Sequence, residues 1–176
     1  LGAKYAVLHM GSAPMKRVTP RLERLQKQGL GGTRKYVRNK LALIKKRKAI
    51  ASRYVERATS ALETIAAKAE QVGVVVAVES RSAFEDLPNE EEMLCLMRLF
   101  DSNPWVGYWH DFGHVQRKHN LGLLDHEQWL SRMSPYLVGC HLHDVRWPAR
   151  DHRVPLSGSI DYDKLMPYIG NEKYKD

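Results

Sequence analysis

Three short stretches of this chain end in residues able to bind a metal ion. VVVAVES (74–80) ends at Glu79, WVGYWHDFGH (105–114) at Asp111 and His114, and LVGCHLHDV (137–145) at His141, His143 and Asp144. Two carboxylates and an imidazole make an oxygen-rich site with some nitrogen. Such a site suits Mn²⁺, Mg²⁺, Co²⁺ or Zn²⁺ and is unlike a thiolate site. An iron site of two histidines and one carboxylate requires His114 or His143 as a further ligand. A divalent cation held there would supply Lewis acidity.

What positions these residues is the pattern around them. Each stretch is a β-branched, apolar or aromatic run, and the runs begin roughly 30 residues apart, the length of one strand–helix–strand unit. Buried parallel strands read as such near-continuous apolar runs. A charge at the end of one, such as Glu79 after Val74–Val78, is tolerated only if it is paired or metal-bound. The spacing therefore predicts ligands at the carboxyl ends of successive parallel strands, where α/β folds bind their ligands.

Taken in order, Lys4–Met10 reads as a buried strand that delivers His9 at its carboxyl end before the break at Gly11–Pro14. Met15–Gln28 reads as a short amphipathic helix closed by Gly29, Gly31 and Gly32. A long helical region follows from Arg34. Tyr54, Ala58, Leu62, Ile65, Ala66 and Ala69 recur in it at helical spacing, and Gly73 serves as its cap.

After the Val74–Val78 strand come a helix at Glu90–Phe100, a strand at Trp105–Trp109, a helix at Leu123–Met133 and a strand at Leu137–Leu142. Trp147–Gly158 reads as a loop, Ile160–Ile169 as a last helix, and NEKYKD as a polar tail. The alternation implies a parallel sheet of about four strands with right-handed crossovers. Residues 1–176 are expected to form one domain.

Composition narrows the partners. At 43% hydrophobic and 27% charged residues the chain has the balance of a soluble globular protein, and no apolar run approaches a membrane span. Cys95 and Cys140 read as small core residues, too few for a disulfide scaffold, so a reducing cytoplasmic setting is expected. The net charge of +8 is uneven: residues 1–57 hold 16 Lys/Arg against Glu23 and Glu56, and the rest of the chain is acidic. Lys45–Lys48 points in every direction around a helix, with no aromatics interleaved for base stacking, so nucleic-acid binding is not expected.

The pieces LHMGS, VAVES, HDFGH, GCHLHD and RDHRVPLSGSIDY resemble the xylose-isomerase-like TIM barrels, over roughly residues 1–165. These barrels comprise sugar-phosphate isomerases and epimerases together with the endonuclease IV type of AP endonuclease. The resemblance implies metal ligands at Glu79, Asp111 and His141, with Glu79 also the catalytic base. It further implies substrate contacts at His114, His9 and His152 and a sugar or sugar-phosphate substrate. The departures are Ser80 where the family often has Asn, His143 in place of Lys or Asn, and a degraded glycine pattern after Pro155.

By this alignment the chain corresponds to strands four to seven of eight. A last-strand glutamate that completes the family's metal site has no counterpart on a strand here, so the expectation is a partial α/β barrel, completed by further strands or by a second copy. The reaction implied is proton abstraction beside a carbonyl to give an enediolate. The alternatives are an AP-endonuclease-like metal phosphodiesterase and an incomplete, non-catalytic fragment of a barrel.

Overall fold

A computed structural model describes residues 2–170. Four parallel strands, β1 (Tyr5–Leu8), β2 (Val75–Glu79), β3 (Val106–Asp111) and β4 (Leu137–His141), lie side by side in chain order. Helices connect them: α1 (Thr19–Lys27) and α2 (Arg34–Val72), then α3 (Glu90–Leu99), then α4 (Phe112–Asn120) and α5 (His126–Met133). The expected partial barrel, with four parallel strands and their crossover helices, is thus present.

Alternation along the strands separates the two faces of the sheet. Val76, Val78, Val106 and Tyr108 pack against Leu62, Ala66 and Ala69 of α2, Met93 and Met97 of α3, and Trp129 and Met133 of α5. Ala77, Glu79, Trp109 and Asp111 have the opposite parity and lie on the other face. Gly139 makes room there for Trp109, since a Cβ at that position falls 2.3 Å from the indole ring. Burying the helix-side face stabilises the fold by roughly 25 cal/mol per Å² of apolar surface removed from water.

The helix ends carry the signals that stop and start them. Thr33 caps α2 by accepting the Tyr36 N–H, and Gly73 closes it at φ +66°, a left-handed conformation that a side chain disfavours. Asn89 and Glu92 form a reciprocal capping box at α3. Glu85 is fully buried because it serves the start of α1: its carboxylate accepts the Val18 and Thr19 N–H groups and the Thr19 hydroxyl.

Several sequence expectations need correction. The first helix begins at Thr19 rather than Met15, with Pro20 in its first turn. The strand expected to be buried, β1, is an edge: Ala6 and Val7 are exposed, Val7 to 40%. Trp147–Gly158 is not wholly a loop, because β5 (Asp144–Arg146) and β6 (Arg150–Arg153) form an antiparallel hairpin. The last helix is only α6 (Tyr162–Leu165) followed by a 3-10 turn, Met166–Tyr168. Helix α4, immediately after Asp111, has no counterpart in the sequence reading.

Of the two cysteines, Cys95 is exposed and Cys140 half-buried, so neither is a core thiol. In the basic run, Lys45, Lys46 and Lys48 face water, whereas Arg47 is buried. Its guanidinium bonds Glu92 at 2.5 and 2.7 Å and the Asp86 carbonyl at 2.8 Å. The polar tail at 171–176 lies outside the described residues.

Candidate metal centre

Parallel pairing brings the strand ends together. Asp111 stands opposite His141 in the β3–β4 register and Glu79 opposite Trp109 in β2–β3. His9 follows directly on the last residue of β1. Glu79 and Asp111 are 3% and 2% exposed, while the His141 side chain is 47% exposed. Two buried carboxylates therefore sit under an imidazole that is open to solvent.

The donor atoms converge. His141 Nδ1 is 3.3 Å from Glu79 Oε1 and 3.5 Å from Asp111 Oδ2. Ligands held at about 2.1 Å from one divalent ion are about 3.0 Å apart in octahedral and about 3.4 Å apart in tetrahedral geometry. The observed edges match that spacing, and the donor set is of the hard oxygen-plus-imidazole kind. Glu79, Asp111 and His141 thus fit a divalent cation, their donor atoms all lying within 4.8 Å of one another.

A shell of hydrogen bonds orients this group. The Asp111 N–H donates to Ser80 Oγ at 2.9 Å, and Asp111 Oδ1 accepts the His114 N–H at 2.8 Å as the N-cap of α4. His114 Nδ1 lies 3.0 Å from the Ser80 carbonyl and 3.5 Å from both Glu79 Oε1 and Asp111 Oδ2. The Glu79 carboxylate contacts His9 Nε2 through its other oxygen. His143 Nε2 lies 2.9 Å from Asp111 Oδ1.

These contacts set the charge states. Burial opposes ionisation of Asp111, but the His143 contact, the His114 charge and the His114 N–H outweigh it and hold the carboxyl well below its ordinary range. Burial pushes His114 down, only partly countered by Asp111. The Asp111 contact pushes His143 up against its own burial.

Of the six residues singled out from sequence, five meet here. Glu79, Asp111, His141 and His114 share one cluster, and His9 joins it through Glu79. His152 stands further out: its side chain is 72% exposed, and it reaches the cluster through His143, on which it stacks at 4.2 Å and 12°. Three contributors were not recognised in the roles they play. Ser80 stood out only as a departure from the family pattern and His143 as that and as a candidate ligand, yet one holds the Asp111 backbone and the other its carboxylate. Gly113, in the D-x-G-H element, is a matter of space, because a Cβ there would fall 2.0 Å from His143 Cε1. The alternation of His141 and His143, two residues apart, was the available signal for the second histidine.

Behind the site a buried polar chain ties β3 to α4 and α5. The Tyr108 hydroxyl meets His110 Nδ1 at 2.8 Å, His110 Nε2 meets His126 Nε2 at 3.0 Å, and His126 Nδ1 meets Gln116 Oε1 at 2.7 Å. Burial keeps both imidazoles neutral, with His110 pushed down to about 3 and His126 also well below its usual value.

Comparison with known proteins agrees with this architecture. A solved structure described as a D-tagatose 3-epimerase-like protein superposes with a TM-score of 0.61 at 17% identity, covering 94% of this chain and 50% of that one. A second, 3-keto-D-glucoside 4-epimerase from E. coli in its apo form, gives a TM-score of 0.49 at 19% identity over 65% of this chain and 41% of that one. The chain thus spans about half the length of these solved structures. Comparison with curated proteins gives no significant match. The family model described as "Xylose isomerase-like TIM barrel" matches residues 1–176, and the chain belongs to that family.

Proposed function

We propose that this chain carries the metal-binding strands of a divalent-metal-dependent sugar or sugar-phosphate isomerase or epimerase. The observation that carries the reading is the convergence of Glu79 Oε1, Asp111 Oδ2 and His141 Nδ1 at the ends of three adjacent strands. Membership of the family and the fold shared with a D-tagatose 3-epimerase-like protein support the substrate class.

A divalent ion held by Glu79, Asp111 and His141 supplies Lewis acidity toward a carbonyl and its adjacent hydroxyl. In this reading Glu79 removes the proton α to the carbonyl, leading to an enediolate. His9 on Glu79 and His114 beside both carboxylates hold the two acids in place and present N–H groups to substrate oxygens. His152, exposed at the rim, contacts the distal part of the substrate.

Among the described residues no second glutamate joins the group. The fourth ligand and the second acid/base group come, in this reading, from further barrel strands or from a second copy of the chain. The described residues include no helix long and apolar enough to cross a membrane, and a cytoplasmic setting is part of the proposal. A multi-metal phosphodiesterase is disfavoured by Asp151, which pairs with Arg117 at 2.6 Å, and by the outward position of His152.

The test is exchange of the substrate α-proton with solvent deuterium, followed by NMR for a panel of ketoses and their phosphates with Mn²⁺ present. The unsubstituted protein is expected to exchange it, and Glu79→Gln to abolish exchange while still binding sugar. Full exchange in Glu79→Gln removes the assignment.

A further inference from the structure

The donor atoms of Asp111, His114 and His143 also lie within 4.8 Å of one another, but the hydrogen bonding of His143 argues against its holding a cation. The backbone N–H of His152 donates to His143 Nδ1 at 3.0 Å. A neutral imidazole has one N–H and one acceptor nitrogen. With Nδ1 occupied as the acceptor, the proton sits on Nε2, so Nε2 has no lone pair to offer a metal. That nitrogen is buried and stands 2.9 Å from Asp111 Oδ1, close in distance though bent from a straight hydrogen bond.

The structure assigns His143 as a positioning residue. Its Nε2–H sets the positive end of a dipole beside Asp111 Oδ1 and, with the His114 N–H on the same oxygen, leaves Oδ2 as the single atom of Asp111 turned to the metal. This deepens the metal reading above and rests on it: one ion per chain, with His143 acting through Asp111.

Two features of the fold are built for this arrangement. The His152 N–H is aimed at the ring because His152 adopts φ +54°, a conformation few non-glycine residues adopt, and its own ring stacks on His143 at 4.2 Å. Gly113 leaves the space the ring occupies, since a methyl there would lie 2.0 Å from Cε1. The hairpin β5–β6 supplies the backbone donor, and the helix after Asp111 supplies the gap. The metal ligand is thereby coupled to a surface segment that carries the exposed His152.

Two measurements on the full chain test this. Nitrogen-15 NMR of the histidines is expected to show His143 protonated at Nε2 and accepting at Nδ1; protonation at Nδ1 alone overturns the inference whether or not a metal binds. Calorimetric titration with Mn²⁺ is expected to give one ion per chain. His143→Leu should weaken it about ten- to a hundred-fold, as loss of an outer-shell partner does. His143→Asn, which keeps a donor, is expected to restore affinity to within a few-fold, and Gly113→Ala to reproduce the leucine defect. If His143→Leu fails to fold, the asparagine variant and the NMR assignment decide. A second Mn²⁺ per chain that disappears in His143→Asn, or unchanged affinity in a folded His143→Leu, overturns it. Absence of any Mn²⁺ binding by the unsubstituted chain overturns the metal reading and this inference with it.

Discussion

Asp111 and His141 face each other in register at the ends of β3 and β4, with Oδ2 and Nδ1 3.5 Å apart. That is longer than an N–H···O hydrogen bond, which clusters at about 2.9–3.0 Å. Glu79 Oε1 lies 3.3 Å from the same nitrogen, so three donor atoms gather at one point, as the proposed metal site requires.

Asp111→Asn isolates the ligand role from the helix cap. Asparagine caps as well as aspartate, so the start of α4 is retained and stability should change by less than about 1 kcal/mol. Mn²⁺ affinity, measured calorimetrically, is expected to fall at least ten-fold. An affinity equal to that of the unsubstituted chain would show that Asp111 is not a ligand.

Trp109 and Gly139 are predicted to be energetically coupled. A Cβ at position 139 lands 2.3 Å from a stiff indole ring, so Gly139→Ala should cost about 1–3 kcal/mol in urea denaturation. Because Trp109 also packs edge-on to His141 at 5.2 Å, Mn²⁺ affinity should fall with it. Adding Trp109→Leu is expected to recover part of the lost stability; strictly additive losses would refute the coupling.

Removing the Arg47 guanidinium leaves the Glu92 carboxylate and the Asp86 carbonyl without their shared donor. Arg47→Ala is expected to lower stability by about 3–5 kcal/mol, the usual result of breaking a buried pair from one side. Lys45→Ala and Lys46→Ala, on the exposed faces of the same helix, should stay within about 0.5 kcal/mol. Thermal melts of the three variants check the contrast.

Stability should fall with acid through the His110–His126 pair. Both imidazoles are held neutral by burial, so their folded-state values lie below those of the unfolded chain. In the window between about 6.5 and about 3 the unfolded chain binds more protons than the folded one, and stability therefore rises with pH. The contribution is fully present above about 6.5 and lost progressively toward about 3, on the order of a few kcal/mol in total. Melting temperatures from pH 7 to pH 4 should show this slope, and His126→Asn should flatten it. An unchanged slope in that variant would place the acid sensitivity elsewhere.

The strand ends were legible in the primary sequence for a physical reason. Parallel strands buried on both faces must be apolar throughout, so Glu79 and Asp111 at their termini stand out without any coordinates. Equal chain length between them places them on neighbouring strands. The four-stranded parallel sheet, the order of its crossovers and the residues brought to its carboxyl edge were available from that pattern. Local signals also marked Gly73 as the close of α2.

What was not legible depends on contacts between residues far apart in the chain. Arg47 lies in a run of identical charges, and only Glu92 and the Asp86 carbonyl, more than thirty residues on, make its burial tolerable. The hairpin at Asp144–Arg153 hides in a stretch of prolines and arginines because it packs against α4 rather than showing an alternation of its own. His143 read as a candidate ligand and as a departure at one position of a motif. Its part in the site comes from a backbone donor at His152 and a space at Gly113, and folding alone brings those two to one ring.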